Sequence, residues 1–357
     1  MKKWVHISIA LLIVLIHSAC GIPQPEKEIA SYLQALEEEG RFSGVVLVAR
    51  EGEPVLEQAY GLANRDHDVP NHMDTKFNLG SMNKMFTAVA VLQLVEQGKL
   101  ALDDRIIDHL VYYSNQDIAS QVTIHQLLTH TSGLGDFFTD EFMDARKDRF
   151  RTLGDHLPLF VDQPLQFEPG TEFSYSNAGF LVLGLIIERV SKQTYYEYVR
   201  EHIYGPCGME NSDSYEMDQV VPDRATGYSQ YANRFTSNVY VLPARGSSAG
   251  GGYSTAGDLL RFRNCLLDHQ LLSPELTETL LEGKVEATGI GAEVEYAYGF
   301  LVLTENEHRI VGHPGGSPGV CSMLEIYLDR GYTVVILSNS DRGCDPVRTE
   351  IHKILAE

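Results

Sequence analysis

The chain has 357 residues, 43% of them hydrophobic, and a formal net charge of -21 from 28 basic and 49 acidic side chains. That length carries a sizeable core but not three ordinary domains. The acidic balance argues against nucleic acid as a partner, because phosphate binding calls for a basic surface.

Residues 1–20 read as a targeting segment, not as part of the fold. Lys2 and Lys3 form a basic start, and Ile7 to Ile16 is an apolar stretch too short to span a membrane. Ser18 and Ala19 then precede Cys20. This resembles a bacterial lipobox, whose cysteine becomes the lipidated first residue and holds the protein at a membrane surface. His17 stands where a leucine-like residue is usual, so plain signal-peptidase cleavage is the alternative. Residues 21–27, with Pro23 and Pro25, form a short stiff tether.

Next, Lys27 to Glu39 is patterned as an amphipathic helix, with Ile29, Leu33 and Leu36 on one side and Gly40 as its stop. Phe42 to Ala49 and Pro54 to Tyr60 read as two antiparallel strands joined by a turn at Glu51, Gly52 and Glu53. Ser81 then sits at the start of a long apolar helix that ends at Gly98. Lys84 follows three residues later, on the same face. Burial lowers a lysine pKa and frees a neutral amine to activate the serine hydroxyl. The helix start supplies N–H groups suited to an oxyanion.

The middle of the chain reads as helix and loop. Short elements at Leu102 to Leu110 and Thr123 to His130 are followed by a polar, surface-like stretch from Asp140 to Leu159. Strongly apolar helices follow at Ala178 to Val190 and Thr194 to Ile203. Tyr175 and Asn177 fall at the entry to the first of these. The tyrosine, beside a cation, loses its proton more easily and shuttles it, while Asn177 holds Lys84 or a substrate amide. From Gly246 onward come helices at Thr255 to Leu267 and Ser273 to Leu281. Strands follow at Ala297 to Leu303, Arg309 to His313, Cys321 to Leu328 and Tyr332 to Asn339, and then a closing helix. His313 ends a strand and leads into Gly315 and Gly316, where the Gly316 N–H can join that of Ser81 at an oxyanion.

Ser81 and Lys84, Tyr175 and Asn177, then His313 and Gly315 are similar, in order and spacing, to the three-motif set of serine β-lactamase-fold hydrolases. The likeness is to the class C branch and its relatives: D-Ala-D-Ala carboxypeptidases, D-aminopeptidases and esterases. It covers residues 28 to 340 and is supported by the stretches Leu127 to Leu134, Glu168 to Asn177 and Ala249 to Asp258. The resemblance implies an α/β (α+β type) fold of the β-lactamase/transpeptidase kind: an antiparallel sheet flanked by helices, plus a helical lobe. On that division, residues 28–80 and 245–357 build the sheet lobe and 81–244 the helical lobe. It further implies an acyl-enzyme on Ser81, Lys84 as base partner and Tyr175 as general base and acid. Asn177 positions, and His313, Gly315 and Gly316 form the substrate and oxyanion edge. The reaction needs no metal or cofactor, and the partner is a small-molecule or peptide substrate. Many members carry lysine where His313 stands. A histidine offers charge to a substrate carboxylate only as imidazolium, so the expectation is a D-amino peptidase or esterase more than a β-lactamase. The second reading is a penicillin-binding or sensor lipoprotein that is acylated without turnover.

Other candidates weaken on inspection. Ser248 and Ser317 both lie in Gly-x-Ser-x-Gly. Pro318 has no N–H for an elbow, and Ser248 runs into glycines, not a helix. His125 and His130 are five apart and lack metalloprotease spacing; Asp103 and Asp104 read as turn residues. Cys207, Cys265, Cys321 and Cys344 are read as buried thiols, with their pairing open.

Overall fold

A computed structural model describes residues 25–356 apart from 233, 292, 306 and 342. The leader, Cys20 and most of the tether lie outside the described residues. Helix α1 (Pro25–Glu38) buries Ile29, Leu33 and Leu36 and ends before Gly40, whose φ is +66°. Strands β1 (Gly44–Arg50) and β2 (Glu53–Tyr60) form the expected hairpin. Two buried apolar helices follow, α2 (Lys84–Glu96) and α3 (Asn177–Ser191). Helices α4 (Ala256–Leu267) and α5 (Pro274–Leu281) precede the short strands β3 (Val285–Glu286) and β4 (Val294–Tyr296). Then come β5 (Leu301–Glu305), β6 (His308–Ser317), β7 (Val320–Tyr327), β8 (Tyr332–Ser338) and the closing helix α6 (Cys344–Ala356).

These strands form one eight-stranded sheet in the order β2-β1-β8-β7-β6-β5-β4-β3, with every neighbouring pair antiparallel. β1 enters from the start of the chain and pairs with β8 near its end, from Gly44 opposite Ser338 to Arg50 opposite Tyr332. Both faces of the sheet are covered, so its central strands are apolar on both sides. On β1, Val45, Leu47 and Ala49 face the core that holds α2 and α3, while Val46 and Val48 face α1 and α6. That is the period-two alternation of a strand between two apolar layers.

Three expectations change. Asp140 to Leu159 is not simply a polar surface: its short helical turns bury Phe142, Phe150, Leu153 and Leu159. The last strands are more numerous than the sequence pattern suggests, because β3 and β4 are too short to show alternation, and β6 does not end at His313 but runs on through Pro314 and the glycines to Ser317, paired with β7. The cysteines are paired rather than free, Cys207 with Cys265 and Cys321 with Cys344. No helix among the described residues is long and apolar enough to cross a membrane.

Candidate active site

Ser81 lies in a single 3-10 turn, Gly80–Asn83, that runs directly into α2. In such a turn residues i and i+3 eclipse each other, which stacks Lys84 over Ser81 more tightly than an α-helical start does. The turn is pinned from two sides. Ser322 Oγ on β7 donates to Leu79 O at 2.6 Å, and Leu79 N–H donates to Gly252 O at 2.7 Å. Gly80 sits at φ +50°, and a Cβ there would come within 2.8 Å of Gly316 N. A Cβ on Gly315 would meet Leu79 O at 1.9 Å. Glycine at both positions lets the turn and β6 close on each other, so Ser81 and Gly316 line the same cavity.

Lys84 is fully buried. Its Nζ lies 2.7 Å from Asn177 Oδ1, 2.6 Å from Ala249 O and 3.3 Å from Ser81 Oγ. Loss of hydration pulls its pKa down to about 7, against the opposing pull of the Asp136 carboxylate. A neutral amine has two N–H bonds and one lone pair. The Asn177 and Ala249 oxygens take the two N–H bonds, which leaves the lone pair for the Ser81 hydroxyl proton.

Tyr175 precedes α3, and its hydroxyl hydrogen-bonds Ser81. Burial pushes its pKa up, beyond what the bond to Ser81 offsets. The expected easing of its ionisation by a neighbouring cation is therefore not what this environment gives. Lys84 Nζ does lie 4.7 Å from the centre of the tyrosine ring, but Tyr175 is held as a neutral phenol, able to donate a proton or relay one. Asn177 donates from Nδ2 to Asp136 Oδ2 at 2.7 Å, and its backbone N–H reaches the same oxygen at 3.3 Å. Asp136 thus orients the amide that holds Lys84.

His313 differs most from the sequence reading. It is buried, and its Nδ1 donates to Pro314 O at 2.6 Å while its Nε2 accepts from the Tyr296 hydroxyl at 3.1 Å. Both nitrogens are occupied in the neutral tautomer. Burial, with Lys84 nearby, lowers its pKa to about 3. It is a neutral ring near neutral pH and not a cation waiting for a carboxylate, and it packs against Tyr175 and Tyr296. His130 backs Tyr175 with ring centres 4.3 Å apart, and its Nδ1 accepts from the Ser176 N–H. His125 bonds the Tyr298 hydroxyl.

Ser248 is buried, and its hydroxyl has no hydrogen-bond partner. Its loop matters through backbone instead. Ser247 O, Ser248 O and Ala249 O accept from Asn83, Thr87 and Lys84 respectively, clamping the loop to the start of α2. Sequence reasoning missed Ala249 O and Asp136. The run Gly250, Gly251, Gly252, which permits that close approach, was the visible hint for the first; nothing local marks the second.

A sequence-family model described as Beta-lactamase matches residues 29–356. Penicillin-binding protein 4* of Bacillus subtilis is 29% identical over 335 residues, covering 89% of this chain and 73% of its own. A crystal structure of a penicillin binding protein from Bacillus halodurans is 35% identical, with TM-score 0.84 over 90% of this chain and 99% of that one. The D-amino acid amidase of Ochrobactrum anthropi shares the fold, at 22% identity and TM-score 0.78 over 92% of this chain and 99% of that one.

Proposed function

The chain belongs to the beta-lactamase family, and we propose that within it the protein is a serine hydrolase acting on D-amino peptides, D-amino amides or esters in preference to β-lactams. The observation that carries the reading is the buried Lys84 amine, with a pKa of about 7, offering its lone pair to Ser81 on the wall of an open cavity.

Ser81 Oγ attacks the substrate carbonyl as Lys84 takes its proton. The tetrahedral oxygen is held by the N–H groups of Ser81 and Gly316, each such donor worth about 10²–10³ in rate. The C–N or C–O bond then breaks as the Tyr175 hydroxyl gives the leaving group its proton, and the Lys84 ammonium returns to Tyr175 the proton it took from Ser81, which leaves Lys84 neutral again. Water attacks the resulting ester with the same base, so the acyl group departs as a carboxylic acid and Ser81 is restored. The neutral His313 supports the preference against β-lactams, because penicillins and cephalosporins present a carboxylate that a fixed cation at this edge would hold.

The leader ending in Cys20 supports export and lipid attachment, and two disulfides suit an oxidising compartment. Loss of a radiolabelled lipid on Cys20→Ala tests the anchor. For the activity, a fluorophosphonate or labelled penicillin should mark the wild type and not Ser81→Ala. A panel of D-amino amides, esters and cephalosporins then reads turnover. No labelling of Ser81 refutes the hydrolase, and labelling without turnover of any substrate favours an acylated sensor.

A further inference from the structure

The cavity that opens on Ser81 measures about 470 Å³, within the range of small-molecule sites. Beyond Ser81 and Gly316 its wall is largely apolar. Phe137, Phe142 and Leu242 are buried in it, while Phe138, Met143 and Val241 remain 54%, 64% and 47% exposed. They come from two separate loops that converge on one opening. Apolar chains gathered this way mark a binding surface, whereas single exposed ones need no explanation.

Charge is missing from the same wall. Arg245 is the one charged side chain among the described residues lining the cavity, and its charge is spent on the protein. Its guanidinium lies 3.5 Å from the centre of the Tyr196 ring, and its Nε donates to Ser214 O at 2.8 Å. His313 does not line the cavity and is neutral.

Resting on the reading of Ser81 as the acylated nucleophile, we infer that of the proposed substrates this site favours esters, and among them uncharged ones whose acyl group is a medium-length apolar chain housed between the loops of Phe138 and Val241. The acyl chain is the part assigned to this wall because it becomes bonded to Ser81, on which the cavity opens. Each methylene covered by the cavity should raise kcat/KM about fourfold.

The test is a series of p-nitrophenyl esters from acetate through butyrate and hexanoate to octanoate, with a matched ester ending in a carboxylate. The expected result is a rise of about fourfold per methylene until the cavity is filled, with the carboxylate ester at least tenfold below hexanoate. Val241→Trp, which narrows the opening, should lower the octanoate-to-acetate ratio tenfold or more. Phe138→Ser, at an equally exposed position, should lower it in the same direction. A flat series, or equal rates for the carboxylate ester, in enzyme that still labels at Ser81 overturns this inference and leaves the hydrolase standing. Turnover of no ester together with an unlabelled Ser81 overturns both.

Discussion

Replacing Asp136 by Asn should move the acid limb of the kcat/KM profile to lower pH. Asp136 is joined to Lys84 through one amide: its Oδ2 accepts from Asn177 Nδ2 at 2.7 Å, and Asn177 Oδ1 accepts from Lys84 Nζ at 2.7 Å. Two such bonds and the width of an amide put the charges no more than about 8 Å apart, where Coulomb's law at an effective dielectric of about 20 gives roughly 2 kcal/mol, about 1.5 pKa units. Asp136 is half-buried, so solvent screens part of this, and about one unit is the expected shift. The carboxylate favours the ammonium form. Removing it therefore lowers the Lys84 pKa from about 7 toward about 6 and leaves more neutral amine at a given pH. An asparagine oxygen still accepts from Asn177, so the positioning survives and the plateau rate should fall little. The assay is kcat/KM for an uncharged ester between pH 5 and 9, with circular dichroism to verify the fold. An acid limb that stays put or moves upward in a folded variant would show that Lys84 is not the group titrating there.

Three further outcomes follow from the geometry. Tyr175→Phe should lower kcat by about 10²–10⁴ with KM little changed, as expected for a proton donor used only during bond breaking; a change confined to KM refutes that role. Gly315→Ala should lose activity and melting temperature together, because its Cβ would meet Leu79 O at 1.9 Å, whereas Gly316→Ala, whose Cβ meets nothing within 4 Å, should keep the wild-type melting temperature; equal losses in thermal melts would contradict this packing. His352 on α6 bonds Glu305 through Nδ1 and Glu325 through Nε2, both at 2.6 Å, so both nitrogens donate and the ring is an imidazolium. Burial opposes that charge, but the carboxylates outweigh it and raise the His352 pKa. The stabilisation is thus complete below the unfolded value near 6.5 and lost as pH rises through the raised one. His352→Gln should cost about 2 kcal/mol at pH 6 and distinctly less at pH 9, read by denaturant melts; a cost that grows with pH would be the wrong sign.

Much of the framework could be read from residue pattern alone. The buried face of α1 was visible because its period is regular, and β1 was visible as a strand because its short apolar run is unbroken. The lysine at i+3 from Ser81 was visible because the spacing is local. What escaped depends on contacts distant in sequence. Asp136 acts through Asn177, 41 positions away, and no motif around it differs from an ordinary loop. His313 was legible as a residue type but not as a neutral one. Its protonation is set by burial and by the nearby Lys84, neither of which the glycine motif that follows it reveals. The stretch from Asp140 to Leu159 hid its buried phenylalanines because its helical pieces, a five-residue α-helix and 3-10 turns, are too short to show a period.

The pairing of β1 with β8 bears on how the protein acquires its activity. The two strands are separated by nearly the whole chain, so the sheet centre forms only after a large loop-closure entropy has been met. Ser322, which clamps the turn before Ser81, lies on β7, the immediate neighbour of β8, and Gly316 lies on β6 beside it. An unfinished chain that ends before Tyr332 therefore carries Ser81, Lys84, Gly316 and Ser322 but lacks β8, the strand that joins β1 to β7. On the proposed mechanism Ser81 gains its reactivity only when β8 docks, which delays hydrolysis until the chain is nearly complete.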